Sequence, residues 1–284
     1  MYNQILTWFL LLISGIFSLT SAQTHRFIYE LKYKQDSLQP NYESTEMILD
    51  INSDGVKFYD YGFLEKDSLN ILHKTTNNQY FSRTMQTIKR GTNSFKNNNY
   101  KQILLSPFNY YVFETDDPIN WVIKKETSKL GNLTIQKATA NFGGRKWIAW
   151  FTKEIPFSEG PYKFRGLPGL IVLLEDSNKN FVYTFSRNYN LKNVYKTDVF
   201  LENHYNLKAL PITEKQWIKL NIEYFNDPYA DLRNSYQPGW DIEIQGKKIN
   251  SKEDFKELTK VTQQEIIKMN NPLEISKAIQ YLDK

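Results

Sequence analysis

The hydrophobic pattern of the chain changes its period once, near residue 190. Before that point, apolar and polar residues alternate or form short β-branched and aromatic runs bounded by Asn, Asp, Gly and Pro, a pattern typical of strands. Residues 27–33 alternate, so Phe27, Tyr29 and Leu31 would share one face. Further strands are predicted over residues 44–51, 56–61, 110–114, 120–125, 134–142, 146–152, 170–175 and 181–187.

After residue 190 the apolar positions recur at helical spacing. Thr213 and Gln216 predict a capping box at the start of a helix that extends to about residue 225. Trp217 is expected to be among the most buried residues of this part of the chain. Two more helices are predicted, one after Ser251 and one from Asn271.

These patterns predict a mainly β protein with C-terminal helices, of the α+β class. Its large antiparallel sheet is expected to be curved or to form a half-barrel, backed by the helices. The predicted organisation is a signal peptide over residues 1–22, an antiparallel β domain over 23–190, and a helical part over 191–284 packed on the same domain. The run Asn97-Asn98-Asn99 is interpreted as a local polar loop.

The first 22 residues contain no charged side chain, and residues 5–17 are almost entirely apolar. The apolar run is shorter than the roughly 20 residues that a spanning helix needs, and Thr20-Ser21-Ala22 provides small residues before Gln23. We therefore predict an exported protein, periplasmic or associated with the outer membrane, with no transmembrane segment after signal cleavage. An uncleaved N-terminal anchor is the alternative, because the segment lacks Lys and Arg.

Composition excludes some classes of function. The chain has no cysteine, so neither a disulfide framework nor a thiol nucleophile is available. Its net charge of +5 comes from 36 basic and 31 acidic residues scattered along the sequence, so we expect no nucleic-acid partner. Aromatic residues make up 15% of the chain, which suits a sheet core and also a groove for an apolar ligand.

A search for catalytic patterns finds no strong candidate. His25, His73 and His204 have no metal-ligand spacing, and the chain has no Gly-x-Ser-x-Gly elbow. Three acidic pairs stand beside turn or cap signals, where a structural role is the simpler interpretation: Asp116-Asp117, Glu175-Asp176 and Glu253-Asp254. No catalytic residue, no cofactor-binding residue, no cofactor and no metal site is predicted.

The hexapeptide Gly166-Leu167-Pro168-Gly169-Leu170-Ile171 is the most distinctive motif, and it is preceded by Gly143-Gly144-Arg145-Lys146-Trp147 and Gly160-Pro161-Tyr162-Lys163-Phe164. In this combination the chain resembles the GLPGLI family of Bacteroidetes, which has no established activity. We expect residues 166–169 to form a compact turn that leads into a buried strand. The resemblance also makes Ser37 and Ser68, each in an Asp-Ser-Leu triplet with a loop-like setting, possible O-glycosylation sites.

Two hypotheses of function follow. The first is a non-enzymatic cell-envelope protein that binds or assists an apolar or peptidic partner. The alternative is a glycan-processing or other hydrolase whose active site is dispersed along the sequence. A convergent carboxylate pair in a cavity would favour the hydrolase, and an apolar groove would favour binding.

Overall fold

A computed structural model describes residues 23–103 and 108–281, so the predicted signal peptide lies outside the described residues. The strands are β1 (Thr24–Tyr33), β2 (Glu43–Asn52), β3 (Gly55–Asp60), β4 (Ile88–Arg90), β5 (Lys96–Ile103), β6 (Asn109–Asp116), β7 (Val122–Leu130), β8 (Leu133–Phe142), β9 (Arg145–Thr152), β10 (Leu170–Asp176), β11 (Phe181–Leu191), β12 (Asn203–His204), β13 (Leu207–Lys208), β14 (Leu210–Pro211), β15 (Ile242–Ile244) and β16 (Lys247–Ile249). The helices are α1 (Tyr61–His73), α2 (Glu214–Asn226), α3 (Ala230–Ser235) and α4 (Asp254–Lys268), with a π-turn at Asp198–Glu202 and a 3₁₀ turn at Ile275–Lys277.

One large open sheet dominates the molecule, as the sequence predicts. Its strand order is β14-β6-β5-β4-β3-β2-β1-β11-β10-β9-β8-β7, and every neighbouring pair is antiparallel except β14 with β6. Every strand predicted before residue 190 overlaps an observed one. The sheet is not closed, and the helices lie mostly in the C-terminal part, so the predicted α+β class is confirmed.

The main core fills the inner face of the sheet. Alternate residues of β1, among them Phe27, Tyr29 and Leu31, are buried there, as the alternation predicts. The β9–β10 connection, residues 153–169, lies on the same face, where Phe164 packs against Trp147 with ring centroids 4.5 Å apart. This connection thus covers part of the inner face and contributes to the main core, as a second layer would.

A second core lies on the opposite face. There Ile28 and Tyr59 pack beneath α1 and the segment 195–209, and Phe63 of α1 stacks on Phe200 at 5.7 Å. The central strands are therefore buried on both faces over part of their length: Arg26 and Ile28 of β1 are buried on the second face, while Lys32 near the end of the strand is exposed.

The predicted polar loop at residues 97–99 is wrong, because these residues belong to β5. Asn97 and Asn99 point to the inner face and are buried. The Asn99 amide donates to the Phe113 carbonyl at 3.2 Å and to the Thr115 hydroxyl at 2.9 Å. Side-chain hydrogen bonds of this kind let a buried strand carry polar residues.

Helix α1 is a second departure from the sequence-based expectation. It buries only Gly62, Phe63 and Asn70, while Ile71 and Leu72 are exposed. Its apolar residues therefore do not follow the buried stripe, and no helical period is visible in the sequence.

Two of the three helices predicted for the C-terminal part are confirmed, and the prediction of the third is wrong. Helix α2 begins with the predicted capping box at Thr213, and α4 follows Ser251 as expected. The helix predicted from Asn271 is instead an extended segment with one 3₁₀ turn. The Arg145 guanidinium donates to the carbonyls of Pro272 and Leu273, and these bonds hold the segment in an extended form against β9 in place of helical hydrogen bonds.

Candidate ligand-binding cavity

The β9–β10 connection is held on the inner face by buried ion pairs. The Glu159 carboxylate accepts from Arg90 Nη2 at 2.5 Å and from Arg165 Nε at 3.1 Å. Arg90 also donates to the Tyr162 carbonyl at 2.7 Å. Because all of these charged groups are buried and paired, the connection is fixed in one position against β4.

The hexapeptide at the end of this connection adopts the expected turn. Gly166 and Gly169 have φ of 96° and 147°, and the Leu170 amide donates to the Ile155 carbonyl at 3.1 Å. A Cβ on Gly169 would lie 2.0 Å from the Thr152 carbonyl oxygen. The turn therefore needs glycine both for its backbone angle and for the close approach to the preceding strand.

A cavity of about 450 Å³ lies beside this connection, between β5, β6, the start of α2 and the C-terminal segment 270–281. The hexapeptide does not line it, but Tyr162 and Lys163, which precede the hexapeptide, do. Its remaining lining residues are Thr84, Met85, Gln86, Asn99, Lys101, Phe113, Glu214, Trp217, Ile218, Asn270, Pro272, Leu273, Glu274, Ser276, Lys277, Ala278, Ile279 and Tyr281.

One wall of the cavity is aromatic. Trp217 of α2 stacks on Phe113 of β6, with centroids 6.3 Å apart and an interplanar angle of 29°. Trp217 is only half-buried, and the buried residue of α2 is Phe225, so the expectation that Trp217 lies deep in the core is wrong. The helix stands at the rim of the sheet, which leaves the indole open to the cavity.

The floor of the cavity is a buried charge network. The side chain of Lys163 is 2% exposed, and its ammonium group lies 3.0 Å from Asp117 Oδ2 and 2.7 Å from Glu274 Oε1. Glu274 Oε1 also accepts from the Tyr162 hydroxyl at 2.9 Å. The network therefore joins the β9–β10 connection to the C-terminal segment.

Lys277 extends the network to α2. Its ammonium lies 3.2 Å from Glu274 Oε2 and 2.8 Å from Glu214 Oε1. Burial alone would raise the pKa of Glu274, but the ammonium groups of Lys163 and Lys277 lower it below its ordinary value. The Glu274 carboxylate is thus held ionised, which is the opposite of what a general acid requires.

Lys101 of β5 is the third lysine of the cavity. Among the residues that the structure describes, its amino group forms no ion pair and donates one hydrogen bond, to the Met85 carbonyl. Burial is the main cause that lowers the pKa of Lys101 to about 8, and the neighbouring lysines and glutamates shift it in opposite directions.

The C-terminal segment closes the cavity and is anchored on the β8–β9 hairpin. Gly143 and Gly144 form the tip of this hairpin, and a Cβ on Gly143 would lie 2.8 Å from Glu274 Cα. The Ser276 amide donates to the Gly143 carbonyl at 3.0 Å. Arg145, at the start of β9, donates to the carbonyls of the same segment, as described above. The two glycines thus supply the space in which the segment lies.

The structure places the predicted acidic pairs apart. Asp117 is buried in the network below the cavity, while its neighbour Asp116 is exposed. Asp176 accepts from the Phe181 amide at 2.8 Å and so closes the β10–β11 turn. Asp254 accepts from the Ser251 amide at 2.8 Å at the start of α4.

The three histidines lie apart from the cavity. His25 contacts Asn190 at 2.8 Å, His73 stands in the last turn of α1, and His204 is buried among aromatic rings, where burial lowers its pKa to about 4. Over residues 23–103 and 108–281, no group of three or more His, Asp or Glu could hold a metal ion.

The two possible glycosylation sites are both exposed. Ser37 lies in a turn after β1. Ser68 lies within α1, where its hydroxyl donates to the Leu64 carbonyl at 2.8 Å. The expected loop setting is therefore wrong for Ser68, because α1 covers the whole triplet.

Sequence reasoning missed the residues that define the cavity. Lys163 stands in the run quoted for the family resemblance, which is a signal that could have drawn attention to it. Lys101, Glu214 and Glu274 carry no local pattern, since nothing in the sequence shows that their segments meet.

Comparison with known proteins gives a short family match and partial structural similarities. A family described as proteins of unknown function, Porph_ging, matches residues 144–173. No curated protein matches the chain. Structures of PNGF-II in the C2 and P21 space groups are similar to it, with TM-scores of 0.48 and 0.46, at 13% and 14% identity. Each match covers 70% of this chain and 32% or 33% of the PNGF-II chain. This chain therefore spans about a third of the length of PNGF-II.

Within residues 23–103 and 108–281, no helix is both long enough and apolar enough to cross a membrane.

Proposed function

We propose that the protein is an exported cell-envelope binding protein whose cavity takes an apolar ligand of small-molecule size. The observation that carries this proposal is the half-buried Trp217, stacked on Phe113 at the wall of a 450 Å³ cavity. Cavities that bind small ligands have this size, apolar walls and a few fixed polar groups. An indole left open to such a cavity provides a large contact area for an apolar molecule.

The carboxylates of the cavity support binding over hydrolysis. Glu214 and Glu274 both pair with Lys277, and the pKa of Glu274 is lowered. A glycoside hydrolase of the common type needs one carboxyl group with a raised pKa to protonate the leaving group.

Export from the cytoplasm, cleavage before Gln23 and a periplasmic or outer-membrane location belong to the same proposal, and they rest on the uncharged apolar segment 1–22. We also propose membership of the GLPGLI family. The family match over residues 144–173, which spans the hexapeptide, supports this assignment.

The neutral fluorescent probe N-phenyl-1-naphthylamine tests the binding proposal. We expect its fluorescence to rise on titration with the folded protein, and we expect Trp217→Ala to weaken binding about tenfold because an aromatic contact is lost. Trp240→Ala is the control, since Trp240 is exposed and packs on Tyr236 away from the cavity. Absence of probe binding, or equal binding by the Trp217 variant and the wild type, would overturn the proposal.

A further inference from the structure

The three lysines of the cavity differ in how their charges are compensated. Lys163 has two carboxylates within 3.0 Å, and Lys277 has Glu214 and Glu274 within 3.2 Å. Lys101 has only the Met85 carbonyl among the described residues. An ammonium group has three donors, so Lys101 retains donor capacity that the described residues do not use.

Lys101 is also held in a defined position. It lies in β5, which pairs with β4 on one side and β6 on the other, and it stands opposite Tyr111 in the β6 register. Tyr111 contacts Trp217 at 6.2 Å between ring centroids. The free ammonium donors and the aromatic wall therefore belong to neighbouring parts of one cavity.

We propose that the ligand carries a carboxylate, which binds the Lys101 ammonium group while the apolar remainder of the ligand lies against Trp217 and Phe113. This inference rests on the proposed function, because it assumes that the cavity is a ligand site. Lys101 is half-buried, so its ammonium group has lost part of its contact with water, and a carboxylate partner would compensate this loss with charge-assisted hydrogen bonds.

The charges around the cavity favour a monoanion. Lys101, Lys163 and Lys277 are equal in number to the nearby carboxylates of Asp117, Glu214 and Glu274, which pair with Lys163 and Lys277, so the cavity has no excess of positive charge for a dianion. A carboxylate would add a single negative charge, whereas a phosphate monoester would add nearly two close to Glu214 and Glu274. A carboxylic acid therefore fits this site better than a phosphate.

The affinity for a carboxylate should depend on pH. Burial lowers the pKa of Lys101 to about 8, so the ammonium form that binds the carboxylate is lost as the pH rises above that value in the free protein. Affinity should then decline above pH 8 and be nearly constant between pH 6 and 7. The titratable groups that face the cavity from the packed elements are Tyr162, Lys163, Glu214, Glu274, Lys277 and Tyr281.

Isothermal titration calorimetry with two matched ligands tests the inference. 4-Phenylbutyrate and 4-phenylbutan-1-ol share their apolar part and differ in the carboxylate. We expect the wild type to bind the acid about ten- to a hundredfold more tightly, as is usual for a hydrogen-bonded charge pair. Lys101→Met should remove this preference, so that the variant binds the acid no more tightly than the alcohol.

Lys96→Met is the matched control. Lys96 lies on the same strand, but it is exposed and pairs with Glu114 at 3.6 Å, so this variant should keep the preference for the acid. If the wild type binds both ligands equally, or if Lys101→Met keeps the preference, the inference is overturned while the proposed function stands. If neither ligand binds, the proposed function fails as well.

Discussion

At the scale of single residues, Glu274 is a buried carboxylate whose ionised form depends on its partners. Its two carboxylate oxygens contact Lys163, Lys277 and the Tyr162 hydroxyl. An ionised carboxylate in such surroundings is stable only while its partners are present, since a buried charge without partners costs more than the pair contributes. The ion pairs therefore hold the C-terminal segment in one position.

The lowered pKa of Glu274 gives a pH-dependent prediction. We expect Glu274→Gln to lower the free energy of unfolding by about 1.5 to 3 kcal/mol at pH 7, because charge-assisted hydrogen bonds are lost. The lowered folded-state pKa contributes stability above the unfolded-state value of about 4.3, and this contribution disappears as the pH falls through the folded-state pKa. The difference between variant and wild type should therefore shrink below about pH 4.

Urea denaturation from pH 3 to 8 measures this difference. Glu223→Gln is the control, because Glu223 forms an exposed pair with Lys219 on α2, and its loss should change stability by less than about 0.5 kcal/mol. A Glu274 variant as stable as the wild type at pH 7 would contradict the prediction.

At the scale of elements, the β9–β10 connection acts as the inner packing layer of the sheet. It contributes Tyr162, Phe164 and Leu167 to the main core, and it presents Lys163 to the cavity. The hexapeptide ends this connection and returns the chain to β10. The motif is therefore required for the position of the cavity floor, although it does not itself line the cavity.

Replacing Gly169 tests this role. Gly169→Ala should destabilise the protein more than Gly239→Ala does, because the new Cβ would lie 2.0 Å from the Thr152 carbonyl oxygen. Gly239 also has a positive φ, of 93°, but no atom lies within 4 Å of a Cβ placed there, so its replacement should cost only about 1–2 kcal/mol of backbone strain. Thermal melts of both variants measure the difference, and equal losses would show that the close approach is unimportant.

The elements that the sequence predicts well are those whose signals are local. Alternation identified β1, short apolar runs identified β8 and β9, and the capping box identified the start of α2. Helix α1 was missed because its burial depends on a neighbouring segment, and β5 because its asparagines find partners only in the folded sheet.

The candidate site could not be predicted in the same way. Lys163 and Glu274 are 111 positions apart in sequence, and Lys101 lies on a third segment. Each residue alone is an ordinary charged side chain, and only the fold brings them to one cavity.

At the scale of the whole molecule, the C-terminal segment joins parts that are distant in sequence. It packs on the β8–β9 hairpin through Gly143 and Gly144, and it reaches Lys34 after β1, whose carbonyl accepts from Asn271 at 2.7 Å. The segment thereby covers the cavity and fixes one of its walls.

Gly143→Ala should release this segment while the sheet stays folded, because the added Cβ would lie 2.8 Å from Glu274 Cα. We expect faster proteolytic cleavage between residues 270 and 281 and at least about fivefold weaker binding of N-phenyl-1-naphthylamine, since one wall of the cavity is lost. Gly131→Ala is the control: its φ of 56° is close to the 59° of Gly143, but no atom lies within 4 Å of its Cβ position. Equal cleavage of the two variants would contradict this description of the segment.

The pairing of β1 with β11 has a consequence for how the chain folds during synthesis. These strands lie at the centre of the sheet, and the pair His25 and Asn190 joins positions separated by 165 residues. Until β11 has been synthesised, β1 can pair with β2 only, and its other edge stays unpaired while strands β1 to β6 can already pair with their neighbours in sequence. Loop closure over such a distance is slow, and an unpaired central strand is prone to wrong association. We therefore expect late, slow completion of the fold, at a time when a chaperone or a transport machinery has access to the exposed edge of β1.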